Sequence, residues 1–286
     1  MNILITGCEG FLAKELSSYY KNTNHNLYLT NRKTLDISDP ERVELFFRKN
    51  DVDVVLHTAI KGGRRDQKES LSDFITNLIM YQNLKRHAEE VYIMINFGSG
   101  AEFGRDKEIR SFKECQIHES MPLDFYGAAK NIITKDLLEY ERANIINFRL
   151  FGCFGSKESS TRMIKHSIKR YINKKPIIIH QDKEMDYFYV QDMCKVIDYY
   201  IDNFDNGLPR DINLCYNKKT TLKKIANIVN SLNDHRVDVI IENKEFSNAY
   251  TGDGSKLQNL GLRFRSLKEN IKDMYQKILK EENDEH

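Results

Sequence analysis

The chain has almost no excess charge: 44 basic against 42 acidic residues leave a formal net charge of +2 over 286 residues. That balance gives no reason to expect nucleic-acid or membrane-surface binding. Two local basic runs, Lys61 to Arg65 and Ile164 to Lys175, read as solvated faces, with phosphate contact as the alternative. No apolar run approaches the roughly 20 residues that span a bilayer. Neither a basic leader nor a cleavage signal precedes the first strand-like run, Ile3-Leu4-Ile5-Thr6. Cysteine is sparse: Cys8, Cys115, Cys153, Cys194 and Cys215 are odd in number, scattered and without a CxxC pair. A disulfide framework or structural zinc site is therefore not expected. The composition points to a reduced, soluble, cytoplasmic protein that holds no metal.

What is present is alternation. Short β-type runs (Ile3–Thr6, Leu27–Thr30, Val54–His57, Tyr92–Phe97, Ile145–Leu150) are separated by helical patterns over Phe11–Tyr20, Pro40–Lys49, Leu71–Ala88 and Tyr126–Glu141. Strand, helix, strand predicts an α/β fold, a Rossmann-type doubly wound parallel sheet, over residues 1–151. Beyond it the regularity loosens into a smaller α/β substrate-binding lobe, 152–286, of which about 177–203 could return to the first domain. There a helix is expected over Thr161–Tyr171, a strand over Ile177–His180 and a helix capped by Asp192 running to Tyr200. Thr220 or Thr221 caps Leu222–Ser231, Leu267–Leu279 closes the chain, and Glu281–His286 is an acidic, frayed tip.

Gly7-Cys8-Glu9-Gly10-Phe11-Leu12-Ala13 follows the first strand and opens the first helix. A pyrophosphate needs a tight turn, a backbone it can approach and a helix N-terminus offering N–H groups. Gly7 and Gly10 supply the first two, and Phe11 and Leu12 begin the helix. The second strand normally ends in an acid that binds the ribose of NAD, whereas this one runs into Asn31-Arg32-Lys33. Arg32 suits a 2′-phosphate, so NADP is expected over NAD. Asp36 and Ile37 would flank the adenine.

Tyr126-Gly127-Ala128-Ala129-Lys130 places a phenol and an ammonium on one helix face, where the lysine would lower the phenol pKa. The same spacing recurs at Tyr81/Lys85 and Tyr171/Lys175, so spacing alone selects none of them. The fourth strand ends in Ile95-Asn96-Phe97-Gly98-Ser99, which puts Ser99 at the carboxyl edge of the sheet, where open α/β sheets gather their active sites.

Taken together the chain resembles the extended short-chain dehydrogenase/reductase family, the nucleotide-sugar epimerases, dehydratases and reductases. The resemblance rests on Thr6 through Ala13, His57-Thr58-Ala59, Asn77, Ser99 through Gly104, Tyr126 through Lys130, Arg149-Leu150-Phe151-Gly152, Asp192, and Ser255-Lys256-Leu257 before Leu260-Gly261. It implies a catalytic Ser99–Tyr126–Lys130 triad, with Tyr126 and Lys130 also holding the cofactor beside Thr58 and Ala59. Tyr81/Lys85 and Tyr171/Lys175 are then helix-surface pairs, and His57 packs near the cofactor. Leu35 through Asp39, Val43 through Phe47 and Ala59 through Gly63 resemble the branch containing GDP-fucose synthase. The family also implies a homodimer pairing the Leu71–Ala88 and Tyr126–Glu141 helices, with Phe74, Leu78 and Leu137 as apolar surface.

Departures from the family narrow the chemistry. Dehydratases carry an Asp-Glu pair where this chain has Gly100 and Ala101, and decarboxylating relatives need a glutamate at Ala101. The epimerising cysteine and histidine of fucose synthase fall on Ala101 and Arg162, neither of which can shuttle a proton from carbon. Gly152 and Asp186 replace an asparagine and an arginine that handle the sugar-nucleotide diphosphate. Lys61, Glu102, Phe103, Arg162 and Lys165 are the candidate substrate contacts. The expected activity is NADPH-dependent reduction of a nucleotide-linked 4-keto, 6-deoxy sugar for surface polysaccharide. The alternatives are a 4-epimerase and a non-catalytic NADP-binding sensor or scaffold. The base (GDP, dTDP, CDP or UDP) stays open.

Overall fold

A computed structural model describes residues 1–63, 68–140, 144–204 and 207–284. Arg64 and Arg65 of the first basic run, Glu141 at the end of the Tyr126 helix, and the last two residues of the acidic tip lie outside the described residues. The strands are β1 (Asn2–Thr6), β2 (Asn26–Thr30), β3 (Val54–His57), β4 (Ile93–Ser99), β5 (Ile109–Phe112), β6 (Ile145–Leu150), β7 (Cys153–Phe154), β8 (Ile177–Gln181), β9 (Phe188–Tyr189), β10 (Asp211–Leu214), β11 (Val239–Asn243) and β12 (Tyr250–Gly252). The helices are α1 (Phe11–Tyr20), α2 (Pro40–Lys49), α3 (Leu71–Lys85), α4 (Phe125–Glu139), α5 (Met163–Ile172), α6 (Val190–Asn203), α7 (Leu222–Val229), α8 (Ser255–Asn259) and α9 (Leu267–Asp284).

Six strands make one parallel sheet in the order β10-β6-β4-β3-β1-β2. Its strands read as apolar runs because both faces are covered. Ile3 and Ile5 of β1, Val54 and Leu56 of β3, and Ile93, Ile95 and Phe97 of β4 enter one core, shared with α1 and α6. Leu4, Val55 and Met94, alternating with them, enter a second core with α2, α3 and α4. The period of two along each strand thus feeds two helix layers, which is the doubly wound arrangement.

Helix starts follow their caps. Asp39 accepts from Glu41 N and Arg42 N at 3.0 and 3.2 Å, with Pro40 next in line. Ser70 and Asp73 form a reciprocal capping box, and Thr221 caps α7. Asp192 does not cap α6. That helix begins at Val190, and Asp192 lies buried in its first turn, bonded to Lys195, Tyr216 and Asn270.

Of residues 177–203, α6 packs on α1, where Tyr19 and Tyr20 donate to Asp198 at 2.6 and 2.8 Å. β8 pairs instead with β11, and β10, which the sequence left in the smaller lobe, is the sixth strand of the main sheet. Its Asp211 and Asn213 hid it, because these polar side chains are buried against β6 rather than exposed. The ladders β5–β12 and β7–β9 complete the smaller α/β region.

Candidate active site

The chain leaves β1 toward β2 and leaves β3 toward β4, in opposite directions along the sheet, and this opens a crevice at the carboxyl ends of β1 and β3. Gly7 turns the chain there at φ +66°, and a β-carbon on it would stand 2.9 Å from Ala59 Cα. The two strand ends are laced together: Thr58 Oγ1 donates to Thr6 O at 2.5 Å, and Ala59 N donates to Thr6 Oγ1 at 3.1 Å. Gly10 is the N-cap of α1 and brings no side chain to the N–H groups of the first turn, which starts at Phe11 and Leu12. A dinucleotide fits this cradle: it offers a bare helix N-terminus at a turn too tight for any side chain.

At the end of β2, Asn31 donates to Glu9 at 2.9 Å and Arg32 pairs with Asp36 at 3.2 Å, its side chain 74% exposed. Bonds from Ser38, and then from Arg32, hold the Asp36 carboxyl below its usual pKa. Ile37 departs from expectation. Its side chain is buried in the core and its carbonyl accepts from Asn83 Nδ2 at 3.0 Å, so only backbone remains to border an adenine.

Ser99 and Tyr126 meet. Ser99 ends β4, its hydroxyl accepts from Ala101 N at 3.2 Å, and it lies close enough to the Tyr126 hydroxyl to pull the phenol pKa down. Lys130, one turn further along α4, is buried and donates from Nζ to Phe97 O at 2.7 Å. Burial draws its pKa down to about 8, with Glu102 opposing. The phenol is not lowered overall, contrary to the sequence-based expectation. Burial raises the Tyr126 pKa, and the groups pulling it down are Ser99, Arg105 and Arg162, while Glu102 adds to the rise. His57 is fully buried with Nδ1 3.1 Å from Thr6 Oγ1, and desolvation, with help from Lys130, pushes it to about 3.

Neither competing Tyr/Lys pair is a helix-surface pair. Tyr81 and Tyr171 are wholly buried core residues. Lys85 bonds Asp136 across to α4 at 2.6 Å, and Lys175 lies beyond the end of α5.

Glu102 and Phe103, expected as substrate contacts, expose no surface. Both are fully buried in the turn after Ser99. Glu102 accepts from Ser99 N and from Arg149 Nε, each at 2.7 Å, and Arg149 continues to Asp211 at 2.9 Å. The Arg149 guanidinium also lies 4.8 Å from the Phe103 ring centre. A carboxylate this far from water survives because a guanidinium faces it.

Residues 3–215 match the NAD dependent epimerase/dehydratase family. The chain belongs to that family. A GDP-L-colitose synthase from Yersinia pseudotuberculosis is 22% identical over 250 residues, covering 80% of this chain and 81% of that protein. A GDP-mannoheptose C4 reductase from Campylobacter jejuni, solved with NADP bound, superposes with a TM-score of 0.81 at 21% identity, over 96% of this chain and 97% of that one. A GDP-L-fucose synthetase from Naegleria fowleri gives 0.78 at 16% identity, over 99% and 93%.

The two departures at Gly152 and Asp186 lie side by side. Phe188 N donates to Gly152 O at 2.8 Å, and a β-carbon at Gly152 would lie 2.6 Å from the Asp186 carbonyl oxygen. The Asp186 carboxylate is turned inward, on Lys219 Nζ at 2.7 Å and Gly252 N at 2.9 Å. Arg162, at the N-cap of α5, is half exposed; buried Glu158 holds it at 3.0 Å, and its charge reaches Tyr126. Lys165 turns elsewhere, bonding Ser156 O within a group that includes Glu15, Glu158 and Glu281. Lys61 is tied by its backbone to Asn77, at 2.8 and 2.9 Å. Sequence reasoning missed Arg105, Glu69 and Asp124, which surround Tyr126. Asp124 alone carried a signal, as a capping residue just before a helix.

Proposed function

We propose that this protein reduces the 4-keto group of a nucleotide-linked, 6-deoxy sugar with NADPH, in the making of a surface polysaccharide. The observation that carries this reading is the Ser99–Tyr126 hydroxyl pair at the sheet edge, beside Gly100 and Ala101. The single acid of that turn, Glu102, is committed to Arg149 and to the Ser99 N–H. Eliminating water, or inverting a carbon beside the ketone through its enolate, needs a second acid or base, and none stands in that turn. Ketone reduction needs one proton and one hydride.

Bound NADPH supplies the hydride. Gly7, Gly10, Phe11 and Leu12 receive its pyrophosphate, Arg32 its 2′-phosphate, and Asn31 and Asp36 the adenosine edge. Thr58 and Ala59 form the crevice wall, and Lys130 holds the ribose hydroxyls. Ser99 hydrogen-bonds the C4 carbonyl oxygen, and Tyr126 protonates the alkoxide as it forms. A phenol pKa raised by burial suits this direction of reaction, since Tyr126 is then fully protonated at neutral pH. Lys130, with its pKa near 8, is mainly charged there. Arg162 is the cation placed to meet the sugar diphosphate.

The named substrates of the similar proteins put GDP-linked sugars first in a screen, ahead of dTDP-, CDP- and UDP-4-keto sugars. NADPH oxidation with product NMR is the test, and no oxidation with any of the four overturns the reading. Product formed without net NADPH consumption would identify a 4-epimerase instead. Tyr126→Phe should lower kcat by about 10²–10⁴-fold, the usual scale for losing a positioned general acid. Its NADPH Kd should stay within about twofold; unchanged turnover would remove Tyr126 from the reaction.

A further inference from the structure

Three carboxylate and guanidinium groups from separate segments converge on the first turn of α4. Tyr126 N donates to Glu69 Oε2 at 3.0 Å, and Gly127 N donates to Asp124 Oδ1 at 2.7 Å. Both carboxylates are taken by Arg105: Nη2 reaches Glu69 Oε1 at 2.8 Å and Asp124 Oδ1 at 2.5 Å, and Nε reaches Asp124 Oδ2 at 3.3 Å. Two contacts to one carboxylate and one to the other use the planar fork of arginine, which lysine does not have. The guanidinium carbon also stands 5.5 Å from the centre of the Tyr126 ring. Gly63, at φ +81°, closes on the same ring: a β-carbon there would lie 2.7 Å from Cε2.

We propose that Arg105 is a positioning residue for Tyr126, which with Glu69 and Asp124 locks the first turn of α4 and keeps the phenol hydroxyl beside Ser99. The proposal rests on Tyr126 being the proton donor. The backbone N–H of the tyrosine is fixed by one carboxylate and the next N–H by the other, and a single cation holds both carboxylates in place. The ring then has both that cation and the Gly63 backbone against it. Surface ion pairs contribute little, but this set is only 12–29% exposed and one cation serves both carboxylates. Arg105 is also among the groups that pull the phenol pKa down, so its loss acts on charge as well as on place.

The test uses full-length protein saturated with NADP. Amide hydrogen exchange at Tyr126 and Gly127 reads the clamp without any substrate, and NADPH oxidation with the active 4-keto sugar reads its consequence. Arg105→Ala should speed exchange at both amides by about tenfold or more and lower kcat by at least about tenfold, with NADPH Kd within about twofold. Millimolar guanidinium chloride should restore part of that kcat, while sodium chloride at equal ionic strength should not. Arg105→Lys should recover less than half of the loss. Unchanged exchange in Arg105→Ala, or unchanged kcat, would overturn the proposal. Should Arg105→Ala fail to fold, Glu69→Gln serves, because its amide oxygen can still accept from Tyr126 N while the ion pair is lost. Faster exchange at Tyr126 and a lower kcat would support the clamp, and neither would refute it. If no 4-keto sugar is turned over by the wild type, the reading of the reaction falls by itself. The exchange data alone then uphold or overturn the clamp.

Discussion

At the scale of single residues, the clearest energetic signature is a histidine that stays neutral. His57 has a folded pKa of about 3 against 6.5 for the free side chain, because burial and Lys130 both oppose its charge. The unfolded chain therefore binds a proton between pH 6.5 and 3 that the folded chain refuses. Stability from this group is whole above pH 6.5 and is lost as pH falls towards 3, by up to about 1.4 kcal/mol per unit. His57→Gln should flatten that part of the stability curve while leaving the pH 7–8 region within about 1–2 kcal/mol, as urea melts at stepped pH would show. An unchanged acid slope would mean that His57 already titrates in the folded protein. The positions of Ser99, Tyr126 and Lys130 were legible because a strand end and the start of a helix fix them, although only the family resemblance singled them out. What the lysine does was not legible. Spacing placed its ammonium beside the phenol, whereas the carbonyl of Phe97 takes it. Glu102 misled for a similar reason: its partner Arg149 is 47 positions away, and only the sheet register joins them. Arg105 was invisible because it sits in an irregular stretch and draws on two distant carboxylates.

At the scale of elements, the β1–α1 turn was readable in full, and its two glycines should respond differently. Gly7 combines φ +66° with the close approach of Ala59, so Gly7→Ala must strain the backbone and push apart the ends of β1 and β3. A cost of about 1–3 kcal/mol and a loss of NADPH affinity by tenfold or more are expected, read by thermal melts and fluorescence titration. Gly10 has φ −75° and ψ 162°, open to any residue, and its β-carbon would come no closer than 3.2 Å to the Gly7 oxygen. Gly10→Ala should therefore leave stability within about 1 kcal/mol and act mainly on cofactor approach. Equal destabilisation by both substitutions would contradict this account of the turn. Elsewhere five of the six strands of the main sheet were placed to within two residues, since a run buried on both faces leaves an unbroken apolar signal. β10 was missed because half of its side chains are polar. Asp211 and Asn213 face Arg149 and belong to a buried network that no local pattern announces.

At the scale of the whole molecule, the two cores settle which helix faces remain. α2, α3 and α4 cover one side of the sheet, and Leu137, expected on the outer surface, is buried in that core. On α3 and α4 the large apolar side chains left outside are Leu71, Ile75 and Ile79, one turn apart on α3, and Phe125 and Ile132 on α4. α3 and α4 touch through Phe74 and Phe125, whose ring centres are 6.2 Å apart, so the exposed rows belong to adjoining helices. Apolar rows of this length on paired helices are a liability for a lone chain. A second copy related by a two-fold axis would bury the same rows on both partners, which is the usual closed solution. The homodimer is thus part of the proposed reading, and Ile75→Glu combined with Ile132→Glu is its test. Four carboxylates would face one another across the axis, and the double variant should sediment as a monomer at concentrations where the parent is a dimer. Neither position touches Ser99, Tyr126 or Lys130, so cofactor binding by the monomer should persist. A parent protein that sediments as a monomer would instead leave these rows to another partner.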